Sequence, residues 1–198
     1  LVTILVILAC AIPAAASRLE TVKVESESMH KQIDVSVVLP DSYGARPLPV
    51  VYLLHGYGDN NLCGYLSYTN VRQYADMFDV VLVIPNGGTN WYFDSPVDPT
   101  IRYETFVSSE LIKYIDKNYL TDARRERRAV TGLSMGGHGA LYLAIRHQDV
   151  FGAAGSMSGG VDFRPFPEKW DIKLRLGDQK THKENWDKNT VRSEEHTS

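Results

Sequence analysis

The feature that most constrains the fold is a glycine-flanked serine between a predicted strand and a predicted helix. The apolar segment 129–131 leads into Gly132-Leu133-Ser134-Met135-Gly136, and helix-forming residues follow at 140–145. A serine on so sharp a corner adopts strained backbone angles, and side chains two residues to either side would collide with the strand or the helix. Gly132 and Gly136 remove those collisions. The corner therefore predicts a strand–turn–helix unit that lifts the Ser134 hydroxyl above a sheet.

This order of strand, Gly-x-Ser-x-Gly and helix is typical of a nucleophile elbow. The helix that begins after Ser134 aims its free amides and the positive end of its dipole at the same point. A glycine-rich turn whose serine only caps a helix is the alternative. A second glycine corner, His55-Gly56-Tyr57-Gly58, follows the apolar run 50–54. In enzymes with such an elbow these two corners supply the oxyanion hole, so the backbone amides of Tyr57 and Met135 are the candidate donors.

Two histidines lie beside these corners. His55 is interpreted as a structural residue that hydrogen-bonds its loop, rather than as a catalytic one. His138 is interpreted in the same way, as a helix residue just past the elbow. An activated serine needs an imidazole and a carboxylate. In enzymes with such an elbow, these two residues follow the serine on loops after later strands. After Ser158 the sequence offers acidic residues and His182 but no further apolar strand, so neither partner is assigned.

The remaining pattern predicts an α/β-hydrolase-type fold with a mainly parallel sheet flanked by helices. Segments 21–25 and 33–37 alternate apolar and polar residues and predict an N-terminal antiparallel hairpin. Strands covered on both faces are predicted at 50–54, 80–84 and 153–159. Helices are predicted at 70–78, at 104–119 and after the elbow. In the first of these helices, Tyr74 is expected on the inner face. Trp91 lies in a loop at the carboxyl end of a strand, where ligands bind, so it is a candidate pocket wall, with packing as the alternative.

Residues 1–16 are interpreted as a truncated secretory signal. The uncharged apolar run 1–9 is followed by small residues at 14–16 and by polar sequence from Arg18. The run is too short to span a membrane. Cleavage after Ala16 predicts a secreted or periplasmic protein. Cys10 leaves open a lipid anchor at the cell surface, and a buried strand is a third reading.

Residues 17–191 are predicted to form one α/β domain that is incomplete, with the final strands and helix of the fold absent. Cys63 is the single cysteine beyond the signal, so no internal disulfide is expected. The net charge of −3 favours neither nucleic acid nor an acidic membrane surface as a partner. No metal or cofactor is predicted. Residues 192–198 match the translation of a common sequencing-library adapter and are excluded from the domain, with a natural polar tail as the alternative.

With these motifs the chain resembles the putative-esterase family of α/β-hydrolases. That family includes esterase D-type S-formylglutathione hydrolases, acetylxylan and feruloyl esterases, and mycolyltransferases. The matching segments are 51–56, the Trp91 loop, 103–106, 131–140 and 151–154. The resemblance implies a serine esterase with Ser134 as nucleophile and with the triad acid and histidine beyond residue 191. The 198-residue chain itself is therefore expected to be inactive.

The predicted export favours one branch of that family. A glutathione thioester is a cytosolic substrate, whereas an exported enzyme could remove acetyl or feruloyl groups from plant polysaccharide. The expected partner is thus a small-molecule or polysaccharide ester. Two other functions stay open: an acyltransferase that uses the same Ser134 acyl-enzyme, and a catalytically dead hydrolase fold that binds carbohydrate.

Overall fold

A computed structural model describes residues 17–191, which form a mixed sheet of six strands flanked by helices; the predicted signal and adapter tail lie outside this range. The strands are β1 Arg18–Ser26, β2 Lys31–Leu39, β3 Val50–Leu54, β4 Val81–Pro85, β5 Arg128–Leu133 and β6 Ala153–Met157. Their order across the sheet is β1-β2-β4-β3-β5-β6. The β1–β2 hairpin is antiparallel and β2 pairs antiparallel with β4, whereas β4, β3, β5 and β6 run parallel. The predicted fold class is confirmed.

The helices alternate with the parallel strands. They are α1 Gly64–Tyr68, α2 Val71–Phe78, α3 Tyr103–Thr105, α4 Leu111–Asn118, α5 Met135–Arg146, α6 Ile172–Leu176 and α7 Lys183–Asn189. A π-helical turn, Phe106–Glu110, joins α3 to α4, so the predicted helix at 104–119 exists but is not uniformly α-helical. No helix in the described part of the chain is long and apolar enough to cross a bilayer.

The core lies on both sides of β3 and β4, whose side chains are almost entirely apolar. Along the helical segment before β5, Val107, Leu111 and Ile115 recur every four residues and are all fully buried. The same helix is fixed to β5 by an ion pair, in which Arg128 Nη2 lies 2.6 Å from Asp116 Oδ2. These contacts fix the strand that carries the elbow.

Two sequence-based expectations are wrong. The segment predicted as the next buried strand is β6, but four of its five residues are exposed. It is the outermost described strand and pairs only with β5, so its small apolar residues are not covered on both faces. Tyr74, predicted to face inward from α2 with Val71 and Ala75, is half exposed and instead stacks on Phe78 at 6.3 Å. Tyr74 lies four residues before Phe78, so the two side chains share a helix face that lies next to the buried one.

Candidate active site

Ser134 joins β5 to α5 in the conformation that the glycine pattern predicts. Its φ of 56° and ψ of −112° lie in a region that residues with side chains rarely adopt. The Ser134 amide donates to the Met157 carbonyl at 2.8 Å, and its carbonyl accepts from the His138 amide at 3.0 Å. The side chain is exposed. The turn therefore presents the hydroxyl to solvent while hydrogen bonds hold the backbone on both sides.

The close approach of three backbone segments explains the two flanking glycines. A Cβ atom on Gly136 would lie 2.0 Å from the Leu54 carbonyl oxygen, and one on Gly132 would lie 2.4 Å from the Gly136 carbonyl group. Backbone atoms held in a strand or a helix cannot move away from such contacts. Only glycine therefore fits at either position.

The second glycine corner lies directly against the elbow. Strands β3 and β5 pair in parallel with Leu54 opposite Gly132, so their carboxyl ends meet at one edge. A Cβ atom on Gly56 would lie only 3.7 Å from Ser134 Cβ. Met135 is the first residue of α5, where an amide has no partner within the helix. Within residues 17–191, the Tyr57 amide donates to no backbone carbonyl, so both amides stay candidate oxyanion donors.

A cavity of about 240 Å³ opens above Ser134. Ser158 and Asp162 also line it, and Asp162 is paired with Arg164 at 2.8 Å. The rest of the wall is largely aromatic, formed by Tyr57, Trp91, Phe163, Phe166 and Trp170. Trp91 thus lies where the sequence predicted a pocket wall. It is also 3% exposed and packs edge-on against Phe163, so the packing interpretation holds as well.

His55 is buried beneath the second corner with both ring nitrogens engaged. Its Nδ1 lies 2.8 Å from the Gly56 carbonyl oxygen, and its Nε2 accepts the Gly87 amide at 2.8 Å. These partners assign the proton to Nδ1. Burial lowers the pKa of His55 and favours the neutral ring. The prediction that His55 hydrogen-bonds its loop is confirmed.

His138 lies within α5, one turn after the serine, and is fully buried. Its Nε2 hydrogen-bonds the Asn189 carbonyl of α7 at 3.0 Å. Four aromatic rings surround it with centroids 5.2–5.6 Å away, those of Trp91, Phe93, Tyr142 and Phe163. Burial lowers the pKa of His138 to about 4. The ring is a neutral structural link between the elbow helix and α7, and its Nε2 is not free to take a proton from serine.

Of the acidic residues and the histidine that follow Ser158, Asp162 lines the cavity, whereas Asp171 and His182 do not. His182 is exposed, and its Nδ1 lies 2.8 Å from the neighbouring Thr181 hydroxyl. Asp171 accepts a hydrogen bond from the Tyr57 phenol at 2.8 Å. No histidine among residues 17–191 lines the cavity. In the same range, no group of histidine, cysteine and acidic side chains is arranged to hold a metal ion.

Residues 26–198 match the family model described as Putative esterase. The chain belongs to this family. It is 35% identical over 150 residues to an endo-1,4-beta-xylanase/feruloyl esterase of Xylanibacter ruminicola, covering 69% of this chain and 21% of that protein. It is 32% identical over 168 residues to the diacylglycerol acyltransferase/mycolyltransferase Ag85B of Mycobacterium leprae, covering 80% and 50%.

A solved ferulic acid esterase shares the fold of this esterase-family chain. The TM-score is 0.71 with 31% identity, and the match covers 87% of this chain and 70% of the other. The chain spans 30% or less of the length of the first curated relatives it matches. Family membership and fold are thus established.

Proposed function

We propose that the protein is an exported serine carboxylesterase that hydrolyses acetyl or feruloyl esters on carbohydrate through an acyl-enzyme at Ser134. The observation that carries the proposal is the exposed, strained Ser134 at the start of α5, beside the Gly56 corner. Similarity to feruloyl esterases supports an ester substrate, and the xylanase in one relative's name supports a plant polysaccharide.

In the proposed reaction, Ser134 Oγ attacks the ester carbonyl carbon and the carbonyl oxygen becomes negatively charged. The amides of Tyr57 and Met135 donate to that oxygen, each contributing about 3–4 kcal/mol to transition-state stabilisation. The positive end of the α5 dipole favours the same charge. The alcohol then leaves, the acyl group stays on Ser134, and water releases it in a second addition.

The proton of Ser134 must pass to an imidazole held by a carboxylate. His55 and His138 are buried and hydrogen-bonded elsewhere, so we assign this role to neither. We propose that both partners lie in sequence beyond residue 191. Loss of the histidine costs about a millionfold in kcat in a well-studied serine protease, so the 198-residue chain is expected to show almost no turnover.

A fluorophosphonate probe on the full-length protein tests the assignment, because only an activated serine reacts. We expect labelling of the wild type and of Ser158→Ala, a second serine in the same cavity, and none of Ser134→Ala. Labelling that persists in Ser134→Ala would refute the nucleophile. Hydrolysis of nitrophenyl acetate without release of acid from acetylated or feruloylated xylan would refute the carbohydrate part.

Similarity to mycolyltransferase Ag85B supports a second candidate, an acyltransferase built on the same acyl-enzyme. The two differ in what attacks the acyl group. Product analysis with an added sugar alcohol separates them, since an acyltransferase forms the new ester in preference to the free acid. A full-length protein that binds xylan without labelling would instead be a catalytically dead carbohydrate-binding fold.

The proposed export rests on the apolar run at 1–9 and the small residues at 14–16. N-terminal sequencing of the protein recovered outside the cytoplasm is expected to begin at Ser17. A lipid-modified Cys10 at the mature N-terminus would instead indicate a lipoprotein. Recovery of the whole protein uncut in the cytoplasm would contradict both.

A further inference from the structure

Ser17, the residue that precedes β1, is held against α2 through all three of its polar groups. Its amide nitrogen lies 3.3 Å from Asp76 Oδ2. Its hydroxyl accepts from Arg72 Nε at 3.2 Å, and its carbonyl oxygen accepts from Arg72 Nη2. Ser17 is 3% exposed. The first residues of a domain are ordinarily loose unless contacts tie them down, so these contacts fix the start of β1 on α2.

The Asp76 carboxylate accepts hydrogen bonds from neutral donors alone in the described part of the chain. Asp76 lies four residues after Arg72, so both side chains are on one face of α2. Asp76 Oδ1 accepts the Asp41 amide at 2.8 Å, from the turn after β2. Among residues 17–191, the hydrogen-bond partners of this carboxylate are thus the backbone amides of Ser17 and Asp41. A full negative charge faces neutral donors at a place where a cationic donor would be bound more strongly.

The predicted cleavage site makes Ser17 the first residue of the mature protein. Hydrolysis of the Ala16–Ser17 peptide bond by a signal peptidase consumes one water, leaves a carboxylate on Ala16 and frees the amine of Ser17. An α-amino group has an ordinary pKa of about 7.7–8.0, so it is an ammonium ion at neutral pH. The nitrogen that lies 3.3 Å from Asp76 Oδ2 then carries a positive charge and three donors in place of one neutral N–H. Hydrogen bonds that involve a charged group are roughly twice as strong as neutral ones.

We infer that Asp76 is the binding site for the N-terminal ammonium of Ser17, so that removal of the signal fixes β1 to α2 by an ion pair. The inference rests on the proposed export and on cleavage after Ala16. Arg72 is a positioning residue, because it holds the carbonyl and hydroxyl groups of Ser17. Its own positive charge makes Asp76 necessary, since two cations would otherwise face each other at this point. The domain therefore reaches its full stability only after the signal is removed.

A matched pair of processed proteins tests the ion pair. Both are full-length proteins exported with the natural signal, and one carries Ser-Gly-Ser inserted between Ala16 and Ser17. Cleavage after Ala16 leaves an ammonium on Ser17 in the first protein. In the second it leaves an amide there, with the ammonium up to about 10 Å further along the chain. N-terminal sequencing verifies the cut in both.

Urea denaturation at pH 6.5 compares the two proteins. The unfolding constant of the protein without the insertion is expected to be about tenfold lower, because only its ammonium meets the Asp76 carboxylate. Equal unfolding constants would overturn the inference.

Asp76→Asn distinguishes an ion pair from an ordinary hydrogen bond, because its amide oxygen still accepts from an N–H but does not neutralise an ammonium. It is expected to raise the unfolding constant at least about tenfold without the insertion and no more than about threefold with it. Asp79→Asn is the matched control, since Asp79 directly follows α2 and binds Ser42 and Arg46 rather than Ser17. It is expected to change both proteins by the same factor. Equal effects of Asp76→Asn on the two proteins would overturn the ion pair.

The pH dependence of the difference between the two proteins gives an independent readout. Pairing with Asp76 is expected to raise the pKa of the Ser17 amine above its unfolded value. The stabilisation is then fully present below about pH 7.7 and is lost as the pH rises through the folded pKa. The charged groups around the amine are Asp76 and Arg72 of α2, Asp41 of the turn and Arg18 of β1, and aspartate and arginine side chains keep their charges over this range. The difference is expected to disappear by about pH 10.5, and a difference that persists unchanged there would refute the ion pair.

Failure of this inference is distinguishable from failure of the proposed function. A mature N-terminus at Ser17 without coupling to Asp76 would leave the export and overturn the ion pair. A mature N-terminus at any other residue, a lipid-modified Cys10 included, would overturn both the cleavage site and the ion pair. Fluorophosphonate labelling of Ser134 reports on the esterase independently of either result.

Discussion

Acid is expected to destabilise the fold through His138. The ring is fully buried, and its pKa falls from an ordinary 6.5 to about 4 because burial disfavours the charged form. The unfolded chain therefore binds a proton below pH 6.5 that the folded chain accepts only below about pH 4. The stabilisation is fully present above pH 6.5 and is lost as the pH falls towards 4. At 1.36 kcal/mol per pH unit, the total is about 3 kcal/mol, of which about 2 kcal/mol is lost by pH 5.

Urea denaturation at pH 7.5 and pH 5 measures this loss. His138→Gln keeps a donor for the Asn189 carbonyl but cannot be protonated, so it is expected to lose about 2 kcal/mol less than the wild type between the two pH values. Leu143→Ala, a cavity variant in the same helix, is the control for low stability. It is expected to be less stable at both pH values with the wild-type pH dependence. Equal pH dependence in the wild type and His138→Gln would refute the reasoning.

Three further predictions concern the fold and the chain's turnover. Gly136→Ala is expected to cost at least about 3 kcal/mol of unfolding free energy, since its Cβ would lie 2.0 Å from a backbone oxygen of β3. Gly58→Ala, with a φ of 80° but open space, is expected to cost about 1–2 kcal/mol. Arg128→Ala is expected to cost about 3–5 kcal/mol of unfolding free energy because it leaves the Asp116 carboxylate without its ion-pair partner. Arg124→Ala, a control at an exposed ion pair, is expected to cost under about 1 kcal/mol. Urea denaturation measures all four variants. Nitrophenyl acetate turnover by the 198-residue chain is expected to be at background, and rates equal to those of the full-length protein would contradict the proposal that the imidazole lies beyond residue 191.

The sequence predicts the sheet well because its strands are defined by local patterns. Alternation at 21–25 and 33–37 places Val22 opposite Val35 and Val24 opposite Ile33 in the observed hairpin. Continuous apolar runs locate β3 and β4 for the same reason. The burial of β6 is not predictable in this way, because a run of small apolar residues does not reveal whether another strand pairs beside it.

The position of the elbow can be predicted to the residue because the segment is short and its close backbone contacts require glycine at two positions. The residues of the cavity wall cannot be predicted in this way. Trp170 is 79 residues from Trp91 along the chain, and their hydrogen bond has no local signal. The hydrogen bond from the Tyr57 phenol to Asp171, across 114 residues, also has no local signal in the sequence. Only the position of the Trp91 loop at the end of β4 predicts that it lines a pocket.

The strained residues mark the site more sharply than any motif does. Eight described residues other than glycine have positive φ, and six of them line the cavity or adjoin a residue that does: Trp91, Tyr92, Ser134, Ser158, Trp170 and Asp171. Sequence propensity argues against left-handed backbone at bulky side chains, so local reasoning fails at these positions. Strain of about 1–3 kcal/mol at each is tolerated only where the surrounding contacts impose it. Such strain concentrated around Ser134 supports the proposal that the chemistry takes place in this cavity.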